Sequence, residues 1–133
     1  MANGTIAFDT LTTSDQVNTN SEKSIDTSYI FNGVAKSWCN LQGKSTASIV
    51  DSFNTASMTD AGTGLYDTVF TNNMVNNDFC ATGASGEYVD NGGNRSLGLR
   101  VRATTGINVR GFYDGNSAAD MEDLNVATHG DLA

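Results

Sequence analysis

Hydrophobic and polar positions alternate along this chain in short runs, separated by clusters of Gly, Asn and Asp. In the clearest run, Ser96 to Ala103, the residues Leu97, Leu99, Val101 and Ala103 fall on one face and Ser96, Gly98, Arg100 and Arg102 on the other. A period of two is the mark of a strand with one buried face. Ile107 to Tyr113 follows a turn at Thr105-Gly106 and makes a natural hairpin with that run. Leu65 to Thr71 also alternates, with Leu65, Val69 and Thr71 opposite Tyr66 and Phe70. Gly4 to Thr12, with Ile6 and Phe8 on one face, Val34 to Leu41, Ala47 to Phe53, Phe79 to Ala81 and Leu124 to Thr128 complete the predicted strands. Thr13 to Ser28 is polar and weakly patterned, so it reads as a loop or an extended arm. Helical periodicity is nearly absent. Its best candidate, Ser117 to Asp123, is too short to stand alone and predicts one turn before the last strand.

The punctuation supports the same reading. Proline is absent and glycine occurs 14 times, so turns fall to Gly, Asn and Asp. They cluster at Asn32-Gly33, Asp60 to Gly64, Asp90 to Asn94 and Asp114 to Asn116. Short strands at this spacing predict an all-β, antiparallel β-sandwich, jelly-roll-like in type. The 133 residues fit a single β domain. Within it, residues 1–28 form an N-terminal strand or arm with its loop, and residues 29–133 the sandwich core. Hydrophobic residues make up 38 % of the chain, a lean supply. That leanness predicts a symmetric oligomer in which neighbouring subunits share the work of stabilisation.

Charge narrows the partners. Fifteen acids stand against seven bases, a net charge of −8. Nucleic-acid binding relies on a basic footprint, so the balance argues against it. No apolar run approaches the length of a membrane span. The first residues lack the charged and apolar segments of a secretory signal, so the expected place of synthesis is a cytoplasm. Cys39 and Cys80 match no zinc or redox spacing. Each lies in an apolar, strand-like stretch that predicts a buried free thiol, with a disulfide as the alternative.

Searches for chemistry return little. The single histidine, His129, has polar neighbours near the C-terminus and reads as a surface residue rather than a triad member. Asp120, Glu122 and Asp123, beside Asp114 and Asn116, miss the spacing of a calcium loop and read as a solvated acidic loop. The Gly-rich stretches lack the Lys-Ser/Thr ending of a phosphate loop. With no candidate acid/base pair at readable spacing, the expectation is a non-enzymatic protein with no cofactor and no metal; a small glycan-acting enzyme is the remote alternative. Four of the seven basic residues, Arg95, Arg100, Arg102 and Arg110, fall close together on the predicted hairpin. Strict alternation places Arg100 and Arg102 on one face, about 7 Å apart. On an acidic protein they form a candidate interface for carboxylates of a neighbouring copy, with an ordinary solvated face as the alternative.

The segment from Ala35 to Phe79 carries a resemblance. It reads Ala35-Lys36-Ser37-Trp38-Cys39-Asn40-Leu41, then Ser52-Phe53-Asn54, then Thr59-Asp60-Ala61-Gly62-Thr63-Gly64, an alternating strand, Met74, and Asp78-Phe79. This order and spacing resembles a module in tail-fibre and other virion structural proteins of tailed bacteriophages, marine ones especially. Val75 stands where that family often has proline. The resemblance covers about a third of the chain and implies a β-rich, usually trimeric particle component without catalytic residues. It therefore implies a homotrimer located in the virion and bound to other virion proteins, the major capsid or tail proteins, with a host surface glycan as a further candidate partner. Two roles compete. A capsid decoration protein fits the early position of the module and an N-terminal segment, Ile6 and Phe8 included, able to act as an arm. A tail-fibre or receptor-binding tip fits the motif itself. In either case Trp38, placed in a predicted strand, is the expected core anchor.

Overall fold

The computed structural model describes residues 7–12, 24–86 and 93–133, with Val101 and Arg102 described by backbone alone. Ile6, most of the expected loop at 13–28, and most of the turn at 90–94 lie outside the described residues. The chain divides into two compact units, Met1–Val34 and Ala35–Ala133.

The first unit holds a minimal hairpin and one helix. Strand β1, Thr10–Thr12, pairs antiparallel with β2, Ser24–Asp26, in the register Leu11↔Ile25. Helix α1 follows directly at Thr27–Gly33. Asp26 caps it, its carboxylate accepting from the Ser28 N–H at 2.8 Å, and hydrogen bonding from the Ser28 side chain first and its N–H second holds the carboxyl below its ordinary range. Of the strand expected over Gly4 to Thr12, the described residues 7–12 form strand at Thr10–Thr12, and Phe8 precedes it, exposed. The helix had no counterpart among the predicted elements. Its local signals are an Asp at the N-cap and a Gly as last helical residue. Periodicity gave no help, because none of its residues is buried.

The second unit is a sandwich-like pair of antiparallel sheets. One sheet has the order β4-β3-β11-β7, built from β3 (Ser37–Gln42), β4 (Ser48–Phe53), β7 (Cys80–Gly86) and β11 (Asp123–His129). The other runs β10-β9-β6-β5, with β8 on the remaining edge of β9. Its strands are β5 (Thr55–Gly62), β6 (Leu65–Phe70), β8 (Arg95–Ala103), β9 (Gly106–Tyr113) and β10 (Ser117–Ala118). The expected β8–β9 hairpin is present, in the register Leu99↔Val109. Strand β5 was not foreseen, and Ser117 to Asp123 makes a two-residue strand and irregular chain instead of a helical turn.

One core joins the two sheets. Cys39 and Leu41 of β3 and Leu124 and Val126 of β11 meet Tyr66 and Phe70 of β6 and Ile107 and Val109 of β9. Met74, Phe79 and Met121 fill in from the connections, with the Phe70 and Phe79 rings edge-to-face at 5.7 Å. Asn54 carries the chain from one sheet to the other. It is the single residue between β4 and β5 and has φ +55°, a conformation Asn tolerates better than most residues. Its side chain donates to the carbonyls of Lys36 and Asn72 and accepts from the Asn72 N–H. The β5–β6 hairpin then turns through Gly62 and Gly64, both at positive φ.

Register overturns the core-anchor expectation for Trp38. Pairing of Cys39 with Val126 and of Leu41 with Leu124 turns odd-numbered β3 residues inward. Trp38 therefore faces outward with Asn40, and remains 39 % exposed. The cysteine expectation is half corrected. Cys39 is buried, but Cys80 is exposed on β7 and both thiols are free. Strand β11 separates β3 from β7, and the two side chains leave opposite faces, which rules out a bridge.

Candidate interaction surfaces

The residues of the recognisable segment mostly serve the fold: Asn54 turns a corner, Gly62 and Gly64 make a hairpin, and Tyr66, Phe70, Met74 and Phe79 fill the core. Trp38 is the exception. It stands in a cross-strand row on the outer face of the four-stranded sheet: Phe53 of β4, Trp38 of β3, Ala127 of β11 and Thr82 of β7 are opposite one another. Phe53 is 54 % exposed, so two aromatic side chains sit side by side in solvent. The next row along the same face is polar, with Asp51, Asn40, Asn125 and Ala84 in register. Asn125 donates from Nδ2 to Asp123 Oδ1 at 2.9 Å. A shallow groove of about 400 Å³ lies on this face, lined by Trp38, Thr82, Ala84, Asn125 and Ala127 among others.

The arginines lie on the other sheet. Arg95 lies opposite Tyr113 and its guanidinium stacks 4.1 Å from the Tyr113 ring centre. Arg110 lies opposite Gly98, with its guanidinium 5.3 Å from the Phe112 ring centre. Arg100 is exposed. Strict alternation between Arg100 and Arg102 does not hold at the backbone level. A register shift between Leu99 and Arg102 sets Arg102 opposite Ile107, a residue of the inward face. The four arginines thus share a hairpin without forming one uniform row. Arg95 and Arg110 are committed to aromatic neighbours, whereas Arg100 is presented to solvent.

The acidic loop is a structural element rather than a solvated one. Asp120 Oδ1 accepts from the Gly64 N–H at 2.6 Å and from the Tyr66 hydroxyl at 2.9 Å. Burial raises the Tyr66 pKa well above its ordinary value, and the hydrogen bond to Asp120 and its charge raise it further. Glu122 lies 3.6 Å from Lys44 Nζ, and Asp114 accepts from the Asn94 N–H. Among the described residues no group of three or more His, Cys, Asp or Glu is placed to hold a metal ion. His129 is half-buried at the end of β11, opposite Cys80.

The first unit presents several large apolar side chains to solvent among its described residues. Phe8, Leu11, Ile25, Tyr29, Phe31 and Val34 are all exposed, Tyr29 at 72 %. None of the described residues of this unit is buried. Phe8, Ile30 and Phe31 line an open depression between the strand entry and the helix. A hairpin of three-residue strands and a two-turn helix are each below the size that is stable alone in water.

Comparison of the chain with protein-family models, with curated proteins and with solved structures finds no match.

Proposed function

We propose that this protein is a non-enzymatic structural component of a tailed-bacteriophage virion, acting as a capsid decoration protein. In this reading it is made in the host cytoplasm and assembles as a homotrimer. It contacts the major capsid protein and binds neither nucleic acid nor membrane. The sandwich is then a jelly-roll-like unit, in keeping with a chain that passes between its sheets after β4, β6, β7 and β10.

The observation that carries the proposal is the first unit. Six large apolar side chains stand in solvent on an element with no buried residue among those described. Exposed apolar patches of this kind mark association surfaces. A small N-terminal element with that character suits an arm laid on a neighbouring subunit. The resemblance of Ala35 to Phe79 to virion modules supplies the biological setting. Arg100 supports an accessory contact with carboxylates, worth about 0–1 kcal/mol if it remains solvated.

The test is localisation in a reconstruction of the intact particle. Many copies across the head match decoration, and absence from the particle refutes the proposal. A second reading, a tail-fibre or receptor-binding tip, is favoured by the exposed Trp38–Phe53 pair and predicts a few copies at the tail. Light scattering is expected to give a trimer, and a stable 14.0 kDa monomer at high concentration refutes it.

A further inference from the structure

We propose that the outer face of the β4-β3-β11-β7 sheet is a binding site for a neutral glycan, with Trp38 and Phe53 as its stacking platform. The site lies wholly within the second unit, and the inference does not depend on whether the protein sits on a head or a tail.

Three features of the face select this ligand. First, Trp38 and Phe53 are direct cross-strand neighbours and both are exposed. Directly opposed side chains stand about 5 Å apart at Cβ, so the pair places two exposed aromatic residues on adjacent strands, Trp38 at the groove and Phe53 beside it. Pyranose rings have a face of C–H groups that stacks on such a surface. Second, the polar row of Asp51, Asn40 and Asn125 runs parallel to the aromatic row, two residues along each strand and so about 7 Å away. Amide groups both donate and accept, and carboxylates accept. Together they match hydroxyls, which do both and which ring the edge of a sugar. Third, the floor beyond Trp38 consists of Thr82, Ala84 and Ala127, small side chains that leave the groove open. A glycan laid across the strands touches its apolar face to one row and its hydroxyls to the next.

Charge excludes the competing anions. Asp51 and Asp123 flank the polar row, no Lys or Arg lies in these rows, and the chain carries a net charge of −8. Sulfated, carboxylated and phosphorylated chains are repelled. A second protein surface fits less well, because the centres of protein interfaces are depleted of Asp.

Trp38 is the sole tryptophan, so intrinsic fluorescence reports on this site alone. The assembled full-length protein is titrated with maltohexaose, cellohexaose and chitohexaose, with polygalacturonate as the anionic control. Fluorescence and calorimetry are recorded in parallel. A saturable change in Trp38 emission with at least one neutral oligomer, and none with polygalacturonate, is the expected result. By calorimetry, Phe53→Ala is expected to weaken binding roughly tenfold, the scale of one good aromatic contact. The pair Asn40→Ala and Asn125→Ala weakens it further, while Thr59→Ala, exposed on β5 of the other sheet, leaves it unchanged. Circular dichroism confirms that each variant is folded. No response to any of the three oligomers in either measurement overturns the proposal. So does a Trp38 emission that is already blue-shifted and protected from quenchers in the free assembly, which shows the face covered by protein.

Discussion

Removing a single oxygen from the core tests a bond that ties together two segments of the sandwich unit 54 residues apart in sequence. Tyr66 is fully buried on β6, and its hydroxyl donates to Asp120 Oδ1 at 2.9 Å. The same oxygen accepts from the Gly64 N–H. Gly43 makes this geometry possible, because a Cβ there would collide with the Tyr66 hydroxyl and the Met121 carbonyl. Tyr66→Phe keeps the ring and deletes the bond. A hydrogen bond to a charged acceptor is worth about 1.5–3 kcal/mol. Asp120 keeps its Gly64 partner and is half-exposed, so the lower part of that range applies and the expected cost is about 1–2 kcal/mol. Asp120→Asn retains an acceptor oxygen but removes the charge, and is expected to cost about 1 kcal/mol. Urea unfolding of the wild type, both single variants and the double variant isolates the coupling. A coupling energy within about 0.3 kcal/mol of zero refutes the idea that this contact holds the Asp114 to Asp123 connection in place. Titration gives a second check. The folded state holds the Tyr66 proton more tightly than the unfolded chain does. As pH rises, the unfolded chain therefore ionises first, at about the ordinary value of 10. Stability from this group is complete below that pH and is lost above it. The Tyr66→Phe variant lacks this part of the alkaline loss.

Four further outcomes follow from the same geometry. Trp38→Ala is expected to cost about 1 kcal/mol or less, as for an exposed position, whereas Leu41→Ala or Leu124→Ala in the core costs about 2–5 kcal/mol; equal losses in thermal unfolding refute the register given for β3. In the native protein a thiol reagent is expected to label Cys80 rapidly and Cys39 only after unfolding, and prompt reaction of both thiols contradicts the burial of Cys39. Burial pushes the Cys39 thiol from 9.0 up to about 11, so its contribution to stability is present below pH 9 and fades as pH climbs towards 11, a loss that Cys39→Ala removes in alkaline unfolding curves. Deleting residues 1–34 is expected to leave the sandwich folded with unchanged far-ultraviolet dichroism while abolishing subunit or particle association; a truncated protein that is unfolded shows that the first unit belongs to the core, and one that associates normally refutes the arm.

The sequence by itself determined the class of the fold and most of its strands. Where one face is buried and the other wet, as in Leu124 to Ala127, alternation of side chains records the burial directly. Turns rich in Gly, Asn and Asp recorded the hairpins for the same local reason. What the sequence could not convey was which phase of an ambiguous alternation faces in. Around Trp38, a large aromatic competes with Cys39 and Leu41 for the interior, and size alone favours the tryptophan. Only pairing with Leu124 and Val126, far away in sequence, turns Cys39 and Leu41 inward and Trp38 out. The polar Asn40 on the Trp38 side was the one local sign of that outcome. The register shift before Arg102 is invisible for a related reason, since an inserted residue in a strand leaves no mark in composition. The acidic loop looked solvated because its partners, Gly64, Tyr66 and Lys44, lie on other elements. Its acids became half-buried struts only when the tertiary fold brought those donors to them.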